Sequence, residues 1–272
     1  MTAMSTYYFY TDLESPFNCR RVHAMLDGKL PLKNPSRFND PFDSLPRVKP
    51  GFTEENAIEY LGLEPAWVSV WREIGKDPTY SALQKKAEEI FSRWTVFPFS
   101  EEKGSLLMWA HYGAQHKGIC LELEYDEVKA PNNSLFKKIR YTTHYPQDIR
   151  ISLDQGLDSA SIETLLLTKS IEWHYEREWR FAVQDAPSEV DFHGEDKFHG
   201  IIDSPFKVTG VCYGFRCEDG DHSNFDEQSD SEMRKYTKIG TVGKIFERKD
   251  ISVQQNTLSA EGFKLIAISL EE

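Results

Sequence analysis

The stretch Tyr175–Val183 (YEREWRFAV) does most to limit what this chain can become. Trp179, Phe181 and Val183 recur at every second residue, with Glu176, Glu178 and Arg180 between them, and a period of two marks a strand with one buried face. The charged residues are then directed together at whatever lies over the other face. Carboxylates two residues apart stand roughly 6.5–7 Å apart along a strand. Such a pair can stabilise a cationic, sugar-like transition state, hold a ribose hydroxyl or coordinate a metal. A solvated face on which Glu178 simply pairs with Arg180 is equally open, because surface ion pairs are common and contribute little.

Elsewhere the pattern alternates between periods of two and 3.6. An aromatic strand at Tyr7–Tyr10 leads to Ser15 as a cap, Pro16 in the first turn, a Val22, Met25 and Leu26 stripe, and Gly28 as the stop of a helix. Leu30 and Leu32 alternate as in a short strand, and the segment around Pro35 and Pro41 reads as an irregular loop. Helical spacing fills about 52–95, its last segment carrying Leu83, Ala87, Ile90, Phe91 and Trp94. A strand at Val96–Ser100 precedes a helix expected over Leu106–Lys117, halted by Gly118, and Ile119–Leu123 alternates as a strand. Ile162, Leu165, Leu166 and Trp173 predict a further helix, and Val208–Phe215 and Phe263–Ile268 complete the strands. Helices and strands are unevenly interleaved, which gives a mixed α+β class. With no repeat and no Gly/Ser linker, 1–272 reads as a single domain with a helical insertion at about 52–95. Asp219–Asp230 is polar enough for a surface loop.

Apolar residues at 39% and aromatics at 13% supply a sizeable core, so a disordered polymer is excluded. The balance of 32 Lys+Arg against 44 Asp+Glu, net −12, argues against a protein that coats nucleic acid by bulk charge. No window approaches the ~18 apolar residues of a membrane span, and Met1–Phe9 lacks the basic start and apolar run of a secretory signal; the expectation is a cytoplasmic protein. Cys19, Cys120, Cys212 and Cys217 are too few and too scattered for a disulfide scaffold. Cys212, Cys217 and His222 have only a loose metal-like spacing, with no clear fourth ligand. GxGxxG, GxxxxGK[ST], GxSxG, HExxH and paired CxxC motifs do not occur.

Two further clusters carry chemistry-bearing residues. Trp109, Tyr112 and His116 fall on one stripe of the expected helix, as core packing or as an aromatic platform for a flat ring, with Lys117 near for phosphate and His111 pointing elsewhere. Arg37, Asn39, Asp40 and Asp43 crowd one Pro-constrained loop, a structural turn or a functional one.

The order FNDPFD (Phe38–Asp43), MWAHYGAQHKGICLELE (Met108–Glu124), KSIEWHYEREWRF (Lys169–Phe181) and VTGVCYGFRC (Val208–Cys217) resembles a bacterial family known as domain of unknown function 2971, over roughly residues 7–217. More distantly, the layout resembles the ADP-ribosyltransferase fold, whose members bind NAD in a cleft between two packed sheets. That resemblance implies two small, mainly antiparallel sheets with helices. It also implies NAD as a substrate, a macromolecular acceptor (protein or nucleic acid) or water, and a role as a toxin or phage-defence effector. YYFYTDL matches its first motif, WAHYGAQHKGICLEL its second and Glu176-Arg177-Glu178 its catalytic Glu-x-Glu. It implies that Glu178, with Glu176, stabilises the oxocarbenium-like state as nicotinamide leaves, and that Tyr112 stacks on nicotinamide. Trp109, His111, His116, Lys117, Arg37, Asn39, Asp40, Tyr10 and Arg180 are the other residues it gathers for binding. Where that fold presents His or Arg from the first motif, this strand reads Tyr8, Phe9, Tyr10, leaving Arg20, Arg21 or Arg37 as substitutes. The alternatives are a non-catalytic sensor or protein-interaction domain, and a metal-dependent nuclease or phosphodiesterase using Asp40, Asp43, Glu176 and Glu178.

Overall fold

The computed structural model describes residues 5–38, 40, 42–43, 78–146, 149, 151–152, 156–187, 198–217 and 236–270. Local signals set the first elements. Strand β1 (Thr6–Thr11) runs to Ser15, whose Oγ accepts the Asn18 N–H at 3.1 Å and caps helix α1 (Pro16–Leu26). Gly28 takes φ +74°, a conformation that costs glycine little, and turns the chain into β2 (Lys29–Leu32). Then come α2 (Pro78–Phe91), β3 (Trp94–Ser100), α3 (Leu106–His111), β4 (Ile119–Tyr125), β5 (Ser134–Lys138) and β6 (Arg140–Thr142). Next are β7 (Ile151–Ser152), β8 (Gly156–Leu157), α4 (Ser159–Leu166), β9 (Thr168–Ser170), a 3₁₀ turn at Ile171–Glu176 and β10 (Glu178–Gln184). The order closes with β11 (Gly200–Asp203), β12 (Phe206–Tyr213), α5 (Lys238–Glu247), β13 (Ser252–Leu258) and β14 (Leu265–Ser269).

Eight strands form one mixed sheet in the order β14-β13-β12-β4-β1-β3-β10-β5, antiparallel except for β12 and β13. Three two-stranded pairs, β11-β2, β6-β9 and β7-β8, complete the described strands. The fold is α+β as expected, but the two small packed sheets are not present. The reason lies in β1, which pairs with β4 from Thr6↔Glu124 to Thr11↔Ile119 on one side and meets β3 on the other, so a single sheet runs through it.

The alternation in β10 sorts as the sequence predicts. Phe181 and Val183 join Phe9, Phe97, Phe99, Leu121, Phe206 and Val211 on one face, covered by Cys19, Val22 and Leu26 of α1 and Ile245 of α5. Each such buried apolar side chain contributes roughly 1.5–3 kcal/mol. The opposite face is also covered. Met108 and Trp109 of α3 pack on Tyr10, Cys120 and Cys212, while Ala87 and Phe91 of α2 and Leu165 and Leu166 of α4 pack on Val96 and Ala182. The charged side of β10 is therefore not solvated: Glu178 and Arg180 are 2% and 0% exposed.

The sheet parts between β1 and β3, which share the single register Tyr8↔Ser100. At the other end of β3, Val96 exchanges both backbone hydrogen bonds with Lys33, at 2.7 and 2.9 Å. Alternate residues of a strand present their backbone groups to the same side, so Pro98 faces the edge between these two points and has no N–H to give. The edge of β3 thus passes from Tyr8 to Lys33 with a slot between.

Three predicted helices are shorter than their sequence spacing suggests. α2 ends at Phe91, and Trp94, expected on its apolar stripe, opens β3 instead. α3 ends at His111, and Ala114, Gln115 and His116 take φ of 49°, 56° and 71°. This loop is pinned by close backbone approach: a Cβ on Gly118 would lie 2.2 Å from the Thr11 carbonyl oxygen, and one on Gly214 would lie 2.1 Å from that of His116. Trp109, Tyr112 and His116 consequently do not share a helical stripe. The helix before Trp173 stops at Leu166, and Trp173 belongs to the 3₁₀ turn. No helix among the described residues is long and apolar enough to cross a membrane. Asp219–Asp230 and the expected helices within 52–77 lie outside the described residues.

Candidate functional site

The slot opens into a cavity of about 320 Å³, lined by Tyr8, Tyr10, Phe38, Ser100, Met108 and Tyr112 and by two groups of charged side chains. Consecutive residues of one strand point to opposite faces, yet Tyr8, Phe9 and Tyr10 of β1, and Pro98, Phe99 and Ser100 of β3, all line it. The cavity therefore runs through the sheet where the ladder is broken.

One group is built from β9, the 3₁₀ turn and β10. Glu176 is not on the strand: it ends the 3₁₀ turn, and Arg177 at φ 45° reverses the chain so that Glu176 and Glu178 converge on one cation. That cation is Lys169, whose Nζ donates to Glu176 and, at 3.0 Å, to Glu178, with Asp43 at 3.4 Å. Arg180 donates in a fork to Asp43 at 2.9 and 3.0 Å, to Glu178 at 2.7 Å from Nε, and to the Leu166 carbonyl at 2.8 Å. The Tyr112 hydroxyl donates to the second oxygen of Glu176, and Ser100 Oγ donates to the Glu176 carbonyl at 2.7 Å. The Tyr141 hydroxyl accepts the Glu178 N–H at 2.8 Å.

The electrostatics follow from this packing. Burial alone would pull the Lys169 ammonium down, but Glu178, Asp43 and Glu176 outweigh it and hold its pKa above the ordinary value. Arg180 is likewise raised, its burial overcome by Asp43 and Glu178. Burial lifts the Glu176 carboxyl above the usual range, with Lys169 opposing and Glu178 reinforcing. The Tyr112 phenol is raised by burial and by Glu176. Fixed carboxylates in a low-dielectric wall suit the stabilisation of developing positive charge.

The second group is cationic. Arg21, 5% exposed, stacks its guanidinium 4.7 Å from the Phe9 ring centroid and 5.3 Å from that of Phe97. Lys33 lies over Phe17 at 5.8 Å, and exposed Arg37 also lines the cavity. Burial and Arg21 push the Lys33 ammonium down to about 8 against the pull of Asp12, and burial takes Arg21 to about 10.

Of the residues singled out from the sequence, Glu176, Glu178, Arg180, Asp43, Tyr112, Tyr10, Arg21 and Arg37 meet at this cavity, and Arg20 is not among its lining residues. Tyr10 commits its hydroxyl to the Glu102 and Lys103 carbonyls, both at 2.6 Å. Trp109 is fully buried and packs its ring against Tyr10 rather than lining the cavity. His116 stacks on Trp109, and His111 and Lys117 are exposed on the α3 side; none of the three is among the lining residues. Asp40 serves a turn, its Oδ1 accepting the Phe42 N–H at 2.8 Å. Asn39 lies outside the described residues. Lys33 belongs to no motif singled out in the sequence, and Lys169, the first residue of KSIEWHYEREWRF, carries no expected role there, although it follows directly on Leu165–Thr168, where a charge demands a buried partner. Of the carboxylates required by a metal-dependent nuclease, Asp43, Glu176 and Glu178 are instead committed to Lys169 and Arg180, and Asp40 to its turn. Among the described residues no group of three or more His, Cys, Asp or Glu is arranged to hold a metal ion. Cys212 is buried in β12, where burial raises its thiol to about 11, and His222 lies outside the described residues.

Residues 108–181 match the family described as Protein of unknown function (DUF2971). The match is narrower than the 7–217 span of the sequence pattern, yet it includes Tyr112, Lys169, Glu176, Glu178 and Arg180. No curated protein and no solved structure matches the chain.

Proposed function

We propose that this cavity binds NAD and that the chain transfers its ADP-ribose to a nucleophile. The observation that carries the reading is the meeting of Glu176, Glu178 and Tyr112 at one end of a cavity whose other end presents Arg21 and Lys33. A dinucleotide has the matching polarity, with a cationic nicotinamide on its ribose at one end and a diphosphate beyond. The slot between β1 and β3 takes the place that a cleft between two sheets holds in the ADP-ribosyltransferase layout.

In this mechanism the bond between ribose C1′ and the nicotinamide ring nitrogen breaks, and its electron pair leaves with nicotinamide, which becomes neutral. The Glu178 carboxylate, held by Arg180 and Lys169, faces the positive charge that develops on the ribose. The acceptor's oxygen or nitrogen bonds C1′ and gives up its proton to Glu176, whose raised pKa suits a base. The Tyr112 ring flanks nicotinamide while its hydroxyl keeps Glu176 in place.

A second reading has its own support: Asp43, Lys169, Glu178 and Arg180 already satisfy one another, as they would in a binding module that performs no chemistry. Melting curves with and without millimolar NAD, together with nicotinamide release, separate the two. The expected result is a higher melting temperature with NAD for both wild type and Glu178→Gln, and release slowed about 10²-fold or more in the variant. Equal release from both proteins would sink the transferase; a shift without release from wild type would leave the binding module.

A further inference from the structure

The geometry points to Arg21 and Lys33 as a diphosphate subsite, so that the ligand of this cavity is a phosphoanhydride rather than a neutral sugar or base. The inference rests on reading the cavity as a ligand site. It does not need the chain to turn NAD over.

Buried charges in folded proteins are paired, because removing an ion from water is costly unless an opposite charge or hydrogen bonds replace the water. The two ends of this cavity treat that rule differently. At the carboxylate end each cation is met: Lys169 has three carboxylates and Arg180 two. At the other end, Arg21 is 5% exposed and its Nε has no hydrogen-bond partner among the described residues. The rings of Phe9, Phe97 and Phe17 surround its guanidinium carbon at 4.7, 5.3 and 5.9 Å and offer its N–H groups no acceptor oxygen. Lys33 is half-buried, and its ammonium has the Phe17 ring beside it and no carboxylate within ion-pair distance among the described residues. Asp12 acts on both at longer range, but one of its oxygens takes the Glu14 and Ser15 N–H groups at 3.0 and 3.1 Å and the other takes the Asn18 amide. It is committed to the start of α1.

Two cations in one wall, one a planar fork and the other a point donor, match two neighbouring charged phosphoryl groups. The aromatic box holds the Arg21 guanidinium in one orientation before any ligand arrives, which cuts the entropy lost on binding. Leaving these charges unmatched in the free protein weakens the fold, as expected where binding requires it.

Calorimetric titration of wild type, Lys33→Met, Lys33→Arg and Arg21→Met with inorganic pyrophosphate, ADP and inorganic phosphate, at low salt, tests the assignment. Melting of the free proteins is recorded alongside. The expected result is that wild type binds pyrophosphate and ADP more tightly than phosphate, that Lys33→Met weakens both by about tenfold or more, and that Lys33→Arg retains most of the affinity. Free Lys33→Met melts above wild type, because an unmatched ammonium gives way to an apolar side chain; a lysine that merely supported the fold would have the opposite effect. Arg21→Met also loses its aromatic stacking, so where that variant fails to fold, Lys33→Met alone decides the assignment. Equal pyrophosphate and ADP affinity in wild type and Lys33→Met overturns the subsite. Pyrophosphate binding with the expected losses but no nicotinamide release supports the subsite and counts against the transferase alone. Nicotinamide release with unaltered affinity in Lys33→Met counts against the subsite alone.

Discussion

The two ends of the cavity use the same kinds of residue to opposite effect. Around Lys169 and Arg180 each charge has a partner at hydrogen-bond distance, so geometry is over-determined and the carboxylates are fixed. Around Arg21 and Lys33 the cations are held by aromatic faces and left without carboxylates. A matched network keeps its shape whether or not a ligand is present, whereas an unmatched pair stores cost that a ligand can relieve. Stability and binding should therefore respond in opposite directions when each end is altered.

The largest effect is expected at the matched end. Arg180→Met leaves Asp43 and Glu178, both almost fully buried, with Lys169 as their one remaining cation among the described residues, and removes the donor to the Leu166 carbonyl. Breaking a buried pair in this way costs about 3–5 kcal/mol, read as a fall in the denaturant midpoint. A loss below about 1 kcal/mol would mean that the network is as dispensable as a surface ion pair, and the contrast between the ends would collapse.

At the unmatched end the effect is smaller and of opposite sign. The Lys33 pKa of about 8 lies below the roughly 10.4 of an unfolded lysine, under burial and the Arg21 charge, with Asp12 opposing and His199 the other titratable neighbour that senses it. Between these values the unfolded chain holds a proton that the folded chain does not, so stability rises with pH across the window, by about 3 kcal/mol. Lys33→Met should flatten that rise, and the difference between the two proteins isolates Lys33 from other groups titrating there. ADP, whose terminal phosphate titrates near 6, stays fully ionised throughout, so its affinity for wild type should fall as pH climbs past about 8. Parallel stability profiles in the two proteins would show that Lys33 is hydrated rather than buried.

How much of this is legible in the sequence depends on range. The cap at Ser15, the turn at Gly28 and the alternation of β10 are local, and each is readable from residues within one turn or one strand. Glu176 departs from the strand that its spacing predicts because Arg177 adopts a left-handed φ that no propensity of arginine announces. The loop Ala114–His116 does the same to the end of α3, its strain imposed by contact with β1 and with Gly214, distant in sequence. The single sheet, and the meeting of Asp43 with Arg180 across 137 residues, are non-local and leave no trace in spacing. One long-range feature does leave a mark: Pro98 inside an otherwise regular strand signals an edge, and that edge opens the cavity.

The finest test lies within the matched end, at Tyr112. Tyr112→Phe keeps the ring that lines the cavity and removes only the hydroxyl that donates to Glu176. The expected cost is about 1 kcal/mol of stability, the net worth of one hydrogen bond. The chemical consequence is more informative. Burial raises the Glu176 carboxyl against the pull of Lys169, and the Tyr112 hydrogen bond also restrains that rise, so its loss moves the pKa further up. A carboxyl raised in the fold contributes stability that is complete below the unfolded value and fades as pH climbs through the folded one; the variant should carry that fade to higher pH. If Glu176 accepts the acceptor's proton, the acid limb of nicotinamide release moves the same way, because the base must be ionised to act. A slower reaction with an unmoved acid limb would assign Tyr112 to the nicotinamide ring alone and return the proton to another group. An unmoved rate and limb would place Tyr112 among the residues that hold the network together without touching the chemistry.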